Sequence, residues 1–337
     1  MIEANSQAEQ DGSADDLKHD LLGKKVWVTG HRGMLGSAMV RRLEQENCNL
    51  ILTTRHDLDL RDQTAVRAWM EKNKPDYIFH IGAKVGGIHA NATLPADFIF
   101  DNISIQSNVI DSAYRTGIKK LIFVASNCTY PKQATQPIKE QSLLTGSLDE
   151  NVRAYAVSKI AGIEMCRAYR RQHGCEFFSV IPPNLYGPGD NYHPQHSHVV
   201  AGILRRVHEA KVSGAAEFTV WGDGTPRREL LHVDDLADAL LALMQTELPN
   251  GQDLFNIGNG HDHAIKDLAA LIAEVVGFKG KIVYDTSKPN GTMSKLLDSS
   301  RVRALGWTPK INEKDGLASA YADFLKLLSS PDNQGRL

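Results

Sequence analysis

Tyr155 and Lys159 stand four residues apart at the head of a segment with helical apolar spacing, Ile160, Ile163 and Cys166. On a helix both side chains share one face, about one turn apart. A free phenol titrates at about 10, so by itself it is a poor proton donor near neutrality. An ammonium within about 4 Å, at an effective dielectric of about 20, favours the phenolate by on the order of 4 kcal/mol. Opposite charge at that range typically lowers a pKa by roughly one to three units. Such a tyrosine can hand a proton to a developing alkoxide. Ser126, in Val124-Ala125-Ser126-Asn127-Cys128, is placed to hold the same oxygen.

The spacing alone decides nothing, because Tyr284-Asp285-Thr286-Ser287-Lys288 repeats it. There Pro289 follows at once and pushes the preceding residue out of helical geometry. A β-rich run, Lys281 to Tyr284, leads in, so this copy is expected at a strand end. Position in the fold must choose between the two.

The positioning elements begin with Lys25-Val26-Trp27-Val28-Thr29, a buried-strand pattern that runs straight into Gly30-His31-Arg32-Gly33-Met34-Leu35-Gly36 and then a helix ending near Asn47. Strand, Gly-x-x-Gly-x-x-Gly, helix is the context in which a glycine turn becomes a dinucleotide site. The glycines allow close backbone approach, and the helix N-terminus faces the pyrophosphate. The next strand, Asn49 to Thr54, ends at Arg55 where an NAD enzyme would carry an acidic residue. Arginine there accommodates a 2′-phosphate, and Arg32 can assist, so NADP(H) is the expected cofactor.

Helix and strand then alternate: a helix near Gln63–Asn73, a strand Tyr77–Ala83, a long helix near Ala96–Arg115, a strand Lys120–Ser126, the Tyr155 helix ended by Gly174, and a strand Glu176–Ile181. This alternation predicts an α/β fold, a Rossmann-type doubly wound parallel sheet, with ligands beyond the carboxyl ends of its strands. Gly30, Ala83 to Gly87, Ser126 and Pro183-Asn184 all fall at such ends. Residues 1–22 are expected to be a disordered tail and 23–190 a nucleotide-binding domain, to which segments near 228–258 can return. Residues 191–337 are expected to form mainly a smaller α/β substrate-binding domain.

Composition narrows the function. Net charge is −2 over 337 residues without a basic stripe, which argues against a nucleic-acid partner. Cys48, Cys128, Cys166 and Cys175 form no paired spacing, so free thiols in a reducing cytoplasm are expected. The acidic first 20 residues resemble neither a signal nor a transit peptide. No apolar run is long enough to span a bilayer. His193, His196 and His198 lack an Asp, Glu or Cys companion at ligand spacing, so no metal site is expected and a sugar-binding loop is the preferred reading.

The glycine pattern with Ser126, Tyr155 and Lys159 resembles the extended short-chain dehydrogenase/reductases. Gly-His-Arg-Gly-Met-Leu-Gly, Ala-Lys-Val-Gly-Gly-Ile-His-Ala-Asn, Pro-Ala-Asp-Phe-Ile, Asn-Leu-Tyr-Gly-Pro-Gly-Asp-Asn-Tyr-His-Pro, Ser-His-Val and Arg-Glu-Leu-Leu-His-Val-Asp-Asp are similar to the GDP-L-fucose synthase family. The resemblance runs from about residue 24 to the C-terminal helix. It implies NADPH-dependent 3,5-epimerisation and 4-reduction of GDP-4-keto-6-deoxy-D-mannose. C3 and C5 flank the C4 carbonyl, so both protons leave as an enolate forms at the C4 oxygen. Donors at that oxygen, Ser126 and Tyr155, can therefore serve both reactions.

By the same resemblance, Cys128 and His198 exchange the protons. The cofactor set is Gly30, His31, Arg32, Gly33, Met34, Leu35, Gly36, Arg55, Asp59, Leu60, Ala125, Ser126, Lys159, Pro182, Pro183, Asn184, Leu185 and His198. Arg206, Trp221, Arg228 and Lys295 hold the substrate, and two long helices pair in a homodimer's four-helix bundle. Asn127, Pro183 and Met293-Ser294 depart from the family's usual residues. The competing readings are another nucleotide-sugar epimerase or reductase of this superfamily and a non-catalytic NADP-sensing module.

Overall fold

The computed structural model describes residues 21–249, 251–287, 290, 293–330 and 335–337, with Ile88 and His89 described in backbone only. Residues 1–20 of the expected tail and Lys288 of the second Tyr/Lys copy lie outside the described residues. Leu21, assigned to that tail, is buried against the first helix and sheet.

The chain opens with β1 (Lys25–Thr29), α1 (Met34–Leu43), β2 (Asn49–Leu52), α2 (Gln63–Asn73), β3 (Tyr77–His80), α3 (Ile88–Thr93) and α4 (Pro95–Arg115). It continues through β4 (Lys120–Val124), α5 (Arg153–His173) and β5 (Glu176–Ile181). Then come β6 (Asn184–Tyr186), α6 (Val199–Val212), β7 (Glu217–Trp221), β8 (Arg227–His232), α7 (Val233–Gln245) and β9 (Leu254–Asn256). β10 (Asp262–Ala264), α8 (Ile265–Val276), β11 (Lys281–Asp285), α9 (Ser300–Ala304) and α10 (Glu313–Ser329) complete it.

Six parallel strands in the order β2-β1-β3-β4-β5-β9 form the main sheet. Successive side chains of a strand point to opposite faces, and the core follows that period. Val26, Val28, Ile122, Val124, Phe178 and Val180 pack with α1 and α7. Trp27, Leu121, Phe123, Phe177 and Ile181 pack with α2, α4 and α5 on the other side. A sheet covered on both faces needs near-continuous apolar strands, and β4 is buried throughout. The expected doubly wound fold is therefore the observed one.

The remaining strands form two small sheets, β10-β8-β6 and β11-β7, which share a core with α6, α8 and α10. β8 runs directly into α7, which packs on α1, and β9 then adds the sixth strand to the main sheet. This second lobe is thus built from two stretches of chain, β6 to β8 before β9, and β10 to β11 with α10 after it.

Boundaries differ in places. α1 stops at Leu43 rather than near Asn47; Glu44 to Asn47 continue as a turn that Asn47 closes with a left-handed backbone (φ 51°). β6 is a short strand that the sequence pattern did not assign. Pro182-Pro183 and Gly187-Pro188 flank it, and it pairs with β8 alone at an edge, where prolines are tolerated.

Candidate active site

Chain order reverses on either side of β1, with β2 on one flank and β3 on the other, and a crevice opens at such a switch point. Gly30 follows β1 with φ +70°, and a Cβ there would lie 2.7 Å from the Cα of Gly82 beyond β3. A Cβ at Gly36 would collide with the backbone of Gly30 and His31. Only a glycine turn lets these backbones approach so closely. Thr29 fixes the same edge, its hydroxyl accepting from the Ile81 and Gly82 N–H groups at 3.0 and 2.8 Å and meeting His80 Nδ1 at 2.9 Å. No side chain caps the N-terminus of α1, and His31 Nδ1 is buried without a hydrogen-bond partner.

At the adenosine end, Arg55 is 72% exposed and reaches Asp59 only at 3.8 Å. Asp59 is instead held by Arg61 at 2.7 Å, which puts its carboxyl down at about 2. Leu60 packs beneath Trp27 and Val66, and its carbonyl accepts from Asn108 at 3.0 Å. Asp59 is thus held by Arg61 and Leu60 by the core, while Arg55 and Arg32 are exposed. Ala125 continues β4, donating its N–H to Val180 at 2.8 Å. Pro182 and Pro183 are buried beyond β5, next to the half-buried Asn184 and Leu185.

Ser126 lies just past β4, its Oγ accepting from the Cys128 N–H at 3.4 Å. Tyr155 is in the first turn of α5 and Lys159 one turn on. Gly162 sets how close that helix comes, since a Cβ there would collide with Phe123 of β4 and crowd Gln106 of α4. The Gln106 amide donates to the Ser158 carbonyl, and the Ser158 hydroxyl donates to the Tyr155 carbonyl at 2.7 Å. Lys159 Nζ then reaches under the sheet end, donating to the Val124 carbonyl at 2.9 Å and sitting 4.8 Å over the Phe123 ring.

The electrostatics correct one expectation. Lys159 Nζ lies 5.9 Å from the Tyr155 ring centre, and burial pushes the Tyr155 phenol up rather than down, with the nearby Cys128 adding to the rise. Burial likewise pushes the Lys159 ammonium down to about 8. A hydrogen bond to a charged group contributes about 1.5–3 kcal/mol, which does not offset the several kcal/mol of burying an ion. Desolvation wins at both groups. The phenol is held neutral, in the protonated form that a proton donor needs.

Cys128 is buried, which pushes its thiol up, against the opposing pull of the Ser126 hydroxyl and the Lys295 and Lys159 cations. Lys295, lowered by burial, in turn feels Cys128 and Asp149, which raise it, and Arg228, which lowers it. Ser126, Cys128, Tyr155, Lys159, Lys295 and Arg228 thus form one connected cluster. Tyr284, by contrast, sits on β11 and covers the Gly224 turn.

His198 caps α6 and remains exposed, yet surrounding protein pushes its imidazole below the ordinary value. The preceding loop presses on the Ala83–Gly87 loop, where a Cβ on Gly87 would stand 3.3 Å from the Ser197 carbonyl. His193 and His196 stack on each other at 4.5 Å. Deeper on α6, the Arg206 guanidinium lies 5.8 Å over Phe218 and 5.6 Å over Trp221, and burial lowers its pKa. Trp221 is 64% exposed, a broad apolar plate beside a cation.

Two residues at the site escaped the sequence reading. Phe98 meets the Tyr155 ring edge-on at 6.1 Å and backs Gly86. It lies within Pro-Ala-Asp-Phe-Ile, but as an apolar residue on an amphipathic helix it carried no separate signal. His80, last in β3, is buried, and burial with Lys159 nearby puts its imidazole at about 3. Its place in an apolar run read as strand, not site.

Comparison with known proteins gives the family. Residues 26–258 match the NAD dependent epimerase/dehydratase family. GDP-L-fucose synthase 1 of Arabidopsis thaliana is 53% identical over 303 residues, covering 90% of this chain and 93% of the relative. GDP-L-fucose synthase of Escherichia coli (strain K12) is 48% identical over 311 residues, 90% of this chain and 97% of the relative. The crystal structure of a GDP-L-fucose synthetase from Naegleria fowleri bound to NADP superposes with a TM-score of 0.85 at 27% identity, covering 94% and 98% of the two chains. The chain belongs to the NAD dependent epimerase/dehydratase family and, within it, to the GDP-L-fucose synthases.

Proposed function

We propose that this enzyme converts GDP-4-keto-6-deoxy-D-mannose to GDP-L-fucose, inverting C3 and C5 and then reducing the C4 ketone with NADPH. The observation that carries the reading is the thiol of Cys128 set beside the Tyr155/Lys159 pair. A ketone reductase needs the pair alone, whereas inversion at the flanking carbons needs a further proton carrier.

The residues present fit NADP(H). A Cβ at Gly36 would fill the cradle beyond β1, the uncapped first turn of α1 offers its N–H groups to a pyrophosphate, and the buried His31 Nδ1 lacks a partner. The exposed Arg55 and Arg32 can meet a 2′-phosphate. When bound, the nicotinamide supplies the hydride for C4. The protein supplies the rest. Ser126 and Tyr155 hold the C4 oxygen, so that negative charge developing there is met by two hydroxyls. Cys128 and His198, from the turn after β4 and from the head of α6, take and return the C3 and C5 protons. Tyr155 then protonates the C4 alkoxide. Arg206, Arg228 and Lys295 hold the diphosphate, with Trp221 packed along the nucleotide.

We further propose a homodimer through α4 and α5, whose outer face leaves Phe100, Ile103 and Val157 exposed at 68, 39 and 37%. Among the described residues no helix is long and apolar enough to cross a membrane, and all four cysteines are free. These features suit a reducing, cytoplasmic setting. The test is incubation with GDP-4-keto-6-deoxy-D-mannose and, in parallel, NADPH or NADH, with the product sugar identified. GDP-L-fucose formed faster with NADPH supports the reading. A product reduced at C4 without inversion would replace it with a simple reductase.

A further inference from the structure

Beside β8, three side chains with no part in this chemistry converge. His261 precedes β10, His263 lies within it, and Glu313 begins α10. His261 Nε2 is 3.0 Å from Glu313 Oε1, and His263 Nε2 is 2.8 Å from Oε1 and 2.7 Å from Oε2. The ligand atoms of the three residues all lie within 4.8 Å of one another. The Asn259 amide reaches both His261 and Glu313 at 3.5 Å, while its carbonyl accepts from Arg303 at 2.8 Å. The Gly260 N–H is held by Glu229 at 2.8 Å, which fixes the loop that presents His261.

We propose that His261, His263 and Glu313 form a binding site for a borderline-soft divalent ion such as Zn²⁺, separate from the active site. Two imidazole nitrogens and one carboxylate are a common three-ligand set for zinc, with water completing the tetrahedron. Nitrogen donors select against Mg²⁺ and Ca²⁺. Zinc–ligand bonds of about 2.0–2.1 Å place ligand atoms roughly 3.3 Å apart around a tetrahedron. The observed spacings need only a small outward shift to admit the ion. That shift is open to the site, because the His261 side chain is 54% exposed and His263 31%. The ion would join β10 to the start of α10. His263 pairs directly with Arg228 across the β10–β8 ladder, so the site also braces the strand that carries a cleft cation.

The experiment uses the full chain without an affinity tag, stripped of metal by a chelator and titrated with Co²⁺ and then Zn²⁺. One equivalent of Co²⁺ should bind with the weak visible bands of nitrogen and oxygen ligands, and one equivalent of Zn²⁺ should displace it. Affinity should fall at least about tenfold in both His261→Ala and Glu313→Gln, since even outer partners of a metal ligand are worth that much. His261 is too exposed for its loss to empty a core. Cys48→Ser and Cys175→Ser should bind as the parent does. A thiolate charge-transfer band, unchanged affinity in His261→Ala and Glu313→Gln, or no saturable binding would each overturn the proposal and leave the cluster a hydrogen-bonded clamp.

Discussion

Tyr155 and Tyr284 stand in the same four-residue spacing to a lysine, yet the fold puts them to different uses. Tyr155 opens a helix packed by Gly162 against β4, which brings Lys159 beneath the Val124 carbonyl and Cys128 beside the phenol. Tyr284 belongs to an edge strand of a two-stranded sheet, 39% exposed, with Ser287 turned back onto Asp285 at 3.0 Å. A spacing of four carries chemistry when 3.6 residues make a turn, and not when alternate residues face opposite ways.

Tyr155→Phe should sharpen this contrast most. Loss of a general acid costs about 100-fold to 10,000-fold, so C4 reduction should fall at least about 100-fold in a single-turnover assay. Normal reduction in this variant would mean that another group protonates the alkoxide.

Cys128→Ser should separate the two chemistries that meet at Tyr155. In heavy water without NADPH, deuterium entry at C3 and C5 of the 4-keto sugar should drop by about 100-fold, the low end for a general base. NADPH binding should persist, because Cys128 is not part of the glycine turn. Undiminished exchange would return Cys128 to the role of a packing residue.

A smaller effect is expected from pH. Lys159 has its ammonium at about 8 against an ordinary 10.5, so the native chain binds fewer protons than the unfolded chain between those values. Stability therefore gains from this group as pH rises across that window. Activity is expected to move the other way, since neutral Lys159 no longer sets a positive charge below the Val124 carbonyl, close to Cys128 and the Tyr155 ring. In the free enzyme kcat/KM should decline as pH rises through about 8, and Lys159→Met, already slow, should lack that limb. A flat profile from pH 7 to about 10 in the parent would remove Lys159 from the titrating machinery.

Tyr284→Phe completes the comparison from the other side. With the ring retained over Gly224, turnover should change by less than about twofold, the range of surface substitutions near ±0.5 kcal/mol. A loss comparable to that of Tyr155→Phe would mean the wrong copy carries the chemistry.

Most of the main sheet was legible because each strand is an apolar run bounded by glycine or polar turns. β5 falls on Glu176–Ile181 as read, and α5 ends at Gly174 because glycine takes the left-handed cap at φ 69°. The small strands were harder. β10 is Asp262-His263-Ala264, three residues without an apolar pattern, and its strand character comes from pairing with β8. Ser126, Tyr155 and Lys159 were readable because their order along a βα unit implies one crevice. The link from Cys128 through Lys295 to Arg228 was not, since it joins three segments far apart in the chain. The rise of the Tyr155 phenol was missed for a different reason. Residue types reveal which charges are available, but desolvation depends on how tightly the helix seats.

The return of β9 to the main sheet has a consequence for the chain as it leaves the ribosome. Until Leu254–Asn256 have been made, β5 offers an open row of backbone groups along Ser179, Val180 and Ile181. Exposed apolar strand edges recruit other chains. A nascent or truncated chain ending before β9 is expected to aggregate more readily than one ending just after it, although both lack the α8 and α10 side of the second core. Sedimentation of the two truncations would show whether the final edge strand protects the sheet it closes.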